Sequence, residues 1–142
     1  MPEQMENIIQ LIEDKLGQYP QVKFKKSPMR FSVLPLNAEG FEVWASDDGT
    51  EVTVGFAGWR QHFKTDRRQA YECFLWGLTD HCRLKVFSKG DRDYKWDAEF
   101  RRTEDWKGMG TVSDFSEILF HFWKPTHFRY LQNNIITEAE IK

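Results

Sequence analysis

Apolar and polar positions change their period several times along these 142 residues, and each change marks an element. Met5, Ile8, Ile9, Ile12 and Leu16 recur at helical spacing, and Gly17 and Pro20 end the run. Glu6, Gln10, Glu13 and Asp14 fall largely outside this stripe, which predicts an amphipathic helix with one face on a sheet. The period then drops to two. "QVKFKK" and "MRFSVLPL", on either side of Ser27-Pro28, read as strands, with the lysines of "KFKK" on a solvated face. A clearer hairpin joins "FEVWAS" to "EVTVGF" through "DDGT", where Asp48-Gly49 is a strong turn signal. The predicted register sets Phe41 opposite Phe56, Val43 opposite Val54 and Ala45 opposite Val52 on the core face, leaving Trp44 outside.

The stretch "GFAGWRQHFKTD" (55–66) breaks that parity. An unbroken strand would carry Arg60 and His62 into the core with Val52, Val54 and Phe56. A bulge at Ala57-Gly58 removes the conflict, pointing Trp59 and Phe63 inward and Arg60, His62 and Lys64 outward. Asp66, with Gln69 three residues later, announces a second helix over "RRQAYECFLWGLTD", apolar on most sides and expected to be buried. Gly77 permits close helix–sheet contact or begins the stop.

A β-meander follows. "CRLKVFS" leads into "YKWDAEFR", whose Tyr94, Trp96, Ala98 and Phe100 alternate with charged residues, and then into "WKGMGTV". Gly108 and Gly110 are expected opposite Phe100 and Ala98. In a last hairpin, "ILFHFW" and "HFRYLQN" are separated by Lys124-Pro125-Thr126. Phe122 is expected opposite Phe128 and Phe120 opposite Tyr130, giving an aromatic face. His121, Trp123, His127 and Arg129 then share the other, polar face. After Asn134 the chain reads as an end strand or a short helical turn. The order predicts one α+β domain over residues 1–142, with two helices packed on a curved, mainly antiparallel sheet of about seven to nine strands.

Composition narrows the partners. Twelve Phe, six Trp and four Tyr let a 40% hydrophobic chain build a core from few positions. A formal charge of −2 gives no electrostatic case for nucleic acid as the main partner. The first residues match neither a signal peptide nor a membrane span, and two cysteines suit reduced thiols in a cytoplasmic protein.

Candidate chemistry is thin. His62, Cys73, His81, Cys82, His121 and His127 fall in no metal-ligand spacing, so no metal or other cofactor is expected. His81 and Cys82 are neighbours that point to opposite strand faces, Cys82 with the core, and His81 lies where it can meet the carbonyls closing the second helix. No Gly-rich phosphate loop or nucleophile elbow is present, and no catalytic residue is nominated. The candidate binding residues are Trp44, Arg60, His62, His121, Trp123, His127 and Arg129, since Trp and Arg are enriched at interface hot spots.

"GWRQHF" followed by "CFLWGLTDHCRLKV" resembles a pattern of small, mostly uncharacterised bacterial proteins. Gly58, Trp59, His62 and Phe63 match its Gly-Trp-x-x-His-Phe element, and Cys82, Arg83 and Leu84 match its strand. The resemblance covers residues 55–86 and implies no activity for those positions. In size, acidity and aromatic content the chain is also similar to immunity proteins of bacterial toxin systems. The expected function is a non-enzymatic cytosolic binding protein, of the immunity-inhibitor kind, with a protein partner and no membrane. The alternative is a small-molecule-binding or enzymatic domain with an aromatic pocket near His62 or His121.

Overall fold

The apolar stripe at the start forms α1 (Ile8–Leu16), where Asn7 Oδ1 accepts from the Ile9 N–H at 2.8 Å and Gly17 closes the last turn. The structure, a computed structural model, describes residues 7–101, 104–114 and 123–137. Five strands follow: β1 (Phe24–Ser27), β2 (Arg30–Val33), β3 (Val43–Asp47), β4 (Val52–Phe56) and β5 (Trp59–Phe63). They pair antiparallel in chain order as a first sheet. Asp66 caps α2 (Arg67–Trp76), accepting from the Gln69 N–H at 2.8 Å. Then come β6 (Cys82–Lys89), β7 (Arg92–Arg101), β8 (Trp106–Ser113) and β9 (Thr126–Gln132), paired antiparallel in the order β8-β7-β6-β9.

The α+β class, both helices and the antiparallel pairing agree with the sequence. The nine described strands, however, form two sheets instead of one curved sheet. Two indoles stand where β5 would have to meet β7 and β8. Trp59 Nε1 donates to the Gly110 carbonyl at 3.1 Å, and the Trp96 ring lies on Gly58, where a Cβ would come within 2.4 Å of it. Ring-to-backbone contact replaces a backbone ladder at that seam.

The core runs across the seam. Ile8, Ile12 and Leu16 of α1 and Phe74 of α2 are buried with Phe31, Val54 and Phe56, and the same cluster includes Leu84, Val86 and Ala98 of the second sheet. Phe56 stacks on Trp59 with ring centres 4.9 Å apart, and Phe74 meets Phe31 edge-on at 6.2 Å. Each such buried ring or branched side chain contributes about 1.5–3 kcal/mol relative to exposure. Gly77 fulfils both expected roles: it closes α2, and its missing Cβ leaves room for the Phe56 ring, 2.4 Å from where that Cβ would be. Ile135 and Ile136 are buried too, and both direct their N–H groups to the Leu78 carbonyl.

Four local expectations change. In the β3–β4 hairpin the faces hold but the register differs: Val43 pairs with Phe56, Ala45 with Val54 and Asp47 with Val52. The Asp48 carboxylate accepts from the N–H groups of Thr50 and Glu51, so the reversal centres on Gly49-Thr50, one residue later. Ala57-Gly58 is a two-residue hairpin turn between Phe56 and Trp59, not a bulge. Ala57 there has φ +52°, the positive φ at the first central position that marks a II′ turn. Gly110 lies opposite Ala98 as expected, but a register shift places Gly108 opposite Glu99 and Lys107 opposite Phe100. Finally, β9 pairs with β6, and the expected hairpin partners Phe120, His121 and Phe122 lie outside the described residues.

Candidate functional site

The hairpin turn at Ala57-Gly58 reverses the chain so that β5 keeps Trp59 and Phe63 in the core and turns Arg60 and His62 outward. Cross-strand register then gathers three nominated residues on the outer face of the first sheet. Trp44, Gly55 and Arg60 form one row, and Ser46, Thr53 and His62 the next. The Trp44 indole lies flat on Gly55, where a Cβ would approach within 1.9 Å of the ring, and Nε1 donates to the Ala57 carbonyl at 3.2 Å. The Arg30 guanidinium covers the same ring at 4.4 Å. Trp44 is thereby held flat and half-buried.

His62 Nδ1 lies 2.8 Å from Thr53 Oγ1 and 3.0 Å from Glu51 Oε2. A hydroxyl beside an imidazole is one half of an activated nucleophile. The other half is an acid on the opposite ring nitrogen, which orients the base. Here hydroxyl and carboxylate share one nitrogen, so the group fixes a ring orientation and builds no relay. The side chain remains 53% exposed.

On the last strand, Phe128 and Tyr130, expected to share an aromatic face, do share one, and they are 57% and 44% exposed. Pairing with β6 sets Phe128 opposite Phe87 and Tyr130 opposite Lys85, on the outer side, because β6 buries the alternate row Cys82, Leu84 and Val86. His127 and Arg129 lie opposite Ser88 and Val86, and Arg129 meets Asp93 through two contacts of 3.0 and 3.1 Å. Trp123 is exposed in the loop before β9, and His121 lies outside the described residues. The polar face assigned to this hairpin thus does not form one surface with Trp44, Arg60 and His62.

On the outer face of the second sheet, cations and rings alternate instead. The Arg83 guanidinium sits 4.2 Å from the centre of the Trp106 ring and 4.3 Å from that of Tyr130, and Nε donates to Glu99 at 2.6 Å. Lys85 Nζ lies 4.3 Å from the Phe128 ring centre and 5.0 Å from that of Phe87, and Lys95 approaches Phe87 to 4.7 Å. Arg83, Lys85, Phe87 and Trp106 are not among the candidate binding residues that the sequence suggests. Their signal was a phenylalanine in the polar parity of "CRLKVFSK", a clue that gains meaning only once β9 is known to lie beside β6.

Three further features limit the chemistry. A polar cleft of about 380 Å³ is lined by residues including Leu36, Glu39, Asp80, Gln132 and Asn133, with no histidine among the described residues that line it. Asn133 beneath it is committed, bonding to both backbone groups of Phe41 and to the Gly77 carbonyl at 3.0 Å each. Burial pushes the Cys73 thiol up to about 12 and raises that of Cys82, so both are protonated thiols near neutrality and poor nucleophiles. His81 Nδ1 contacts the Arg101 carbonyl at 2.8 Å, while Thr79 Oγ1 donates to the α2 carbonyl of Trp76 in the role expected of His81. Among the described residues no group of three or more His, Cys, Asp or Glu is placed to hold a metal ion, and no helix is long and apolar enough to cross a membrane. No protein-family model, curated protein or solved structure matches the chain.

Proposed function

We propose that this chain is a non-enzymatic cytosolic binding protein, of the immunity-inhibitor kind, that holds a partner protein on the outer face of its second sheet. One observation carries the reading: Phe128 and Tyr130 are 57% and 44% exposed amid Arg83, Lys85 and Lys95 on paired strands. Aromatic and Arg side chains dominate interface energetics, and a sheet that already orders them reduces the entropy lost on binding. The alternative, a small-molecule or enzymatic site near His62 or His121, has weaker support. The cleft lies among other residues, and the group at His62 orients a ring without completing a catalytic set.

The test is retention of proteins from the native cytosol by the immobilised wild type, by Phe128→Ser/Tyr130→Ser and by Trp44→Ala. The reading expects a retained protein that is lost with the double variant and kept with Trp44→Ala. Retention that survives the double variant, or disappears with Trp44→Ala, contradicts it.

A further inference from the structure

We infer that the partner surface recognised by the second sheet is an acidic protein segment bearing aromatic or aliphatic side chains, read by the ring-held ammonium groups of Lys85 and Lys95. This rests on the reading of that face as the protein-binding surface and adds the chemistry of what it binds.

The charge on this face opposes that of the whole chain. Arg83, Lys85, Lys95 and Arg101 stand there against Asp97 and Glu99, in a protein of formal charge −2. The acids are already engaged: Glu99 accepts from Arg83 at 2.6 Å, and Asp97 accepts from the Thr111 hydroxyl at 2.5 Å. Asp97 is the register partner of Lys85, yet the Lys85 ammonium lies over the Phe128 ring at 4.3 Å. Among the described residues, neither Lys85 nor Lys95 has a carboxylate partner, and each rests on a ring. An ammonium held this way keeps donors free for an incoming carboxylate, and such charge-assisted bonds are shorter and stronger than neutral ones.

The rings also choose between acidic partners. Single-stranded nucleic acid binds such sheets by stacking bases on open aromatic faces. Here Arg83 lies between Trp106 and Tyr130, Lys85 covers Phe128, and Lys95 covers Phe87. Each of these rings already carries a cation, which leaves less open aromatic surface for stacked bases. The exposed remainder of Phe128 and Tyr130 offers apolar contact beside fixed positive charge, which suits carboxylates interspersed with apolar side chains.

The experiment uses the full chain and two labelled probes, a random copolymer of Glu and Tyr and an oligothymidylate of matching charge, followed by fluorescence anisotropy at low salt. Indole N–H resonances provide location, since Trp106 lies on this face and Trp44 on the other sheet. Expected results are binding of the copolymer, a shift of the Trp106 resonance with Trp44 unmoved, and weakening as salt is raised. Lys85→Glu/Lys95→Glu lowers affinity at least tenfold and Lys85→Gln/Lys95→Gln by less, while Lys25→Glu on the first sheet leaves it unchanged. Circular dichroism checks that each variant is folded. No copolymer binding, binding indifferent to Lys85 and Lys95, tighter binding of oligothymidylate through the same lysines, or self-association lost in the lysine variants would each overturn the inference. If the copolymer fails while Phe128→Ser/Tyr130→Ser still abolishes retention of a cytosolic protein, the chemistry is wrong and the binding face stands.

Discussion

Trp96 lies on the backbone of Gly58, where a Cβ would come within 2.4 Å of the indole. Gly58 therefore serves as the flat seat on which a strand of the second sheet meets the turn between β4 and β5. Gly58→Ala should lower stability by about 1–3 kcal/mol, because the added Cβ would overlap the indole and push it from its seat. Urea unfolding measures this, and Trp96 fluorescence reports whether the ring is displaced. An unchanged midpoint would mean the seam is soft.

The neighbouring residue should show the opposite sign. Ala57 adopts φ +52°, a region that costs an L-residue with a Cβ roughly 1–2 kcal/mol. Ala57→Gly removes that strain while loosening the unfolded chain by somewhat less. The expected outcome is a net stabilisation of about 0.5–1 kcal/mol in thermal or urea unfolding.

Asp47 predicts an acid limb in stability. Burial by itself would push its carboxyl up, but the hydrogen bond from Arg67 and the Gly49 N–H outweigh this and hold it below the usual carboxylate range. Since the folded value is the lower one, the contribution is fully present above the unfolded value of about 3.9 and is lost as pH falls through the folded value. Asp47→Asn should cost about 1–2 kcal/mol at neutral pH and flatten that limb. Urea midpoints of wild type and variant, followed as pH falls from neutral into the acid range, check the sign.

The thiols offer a kinetic prediction. With burial pushing Cys73 up to about 12 and raising Cys82, a disulfide reagent at pH 8 should label neither quickly in the native protein. Both should react within the dead time once urea unfolds the chain. Rapid labelling of Cys82 in the native protein would contradict its burial in the core.

Much of this architecture could be read from alternation, because which residues share a strand face depends only on local parity. The inward set of Val43, Ala45, Val52, Val54, Phe56, Trp59 and Phe63 survives, although a turn moved by one residue slid the β3–β4 pairing by two. That move came from Asp48 accepting three hydrogen bonds within its own turn, a preference that hydrophobic patterning does not carry. The outward direction of Arg60 and His62 was also legible, even though a hairpin turn and not a bulge produces it. Division into two sheets was not, because it depends on where Trp59 and Trp96 end up in three dimensions. For the same reason the cation-and-ring face of the second sheet was not legible as a surface. Alternation places Phe128 and Tyr130 on one strand face, and only the pairing of β9 with β6 sets cations beside them on the exposed side.

The claim that the outer face of the second sheet contacts a protein partner is tested most directly by hydroxyl-radical footprinting of the chain, free and in a complex isolated from its native cytosol. The account predicts strong protection of Trp106, Phe128 and Tyr130 in the complex, with Trp44 and His62 oxidised as in the free chain. Protection of Trp44 and His62 while Phe128 and Tyr130 remain fully reactive would contradict it.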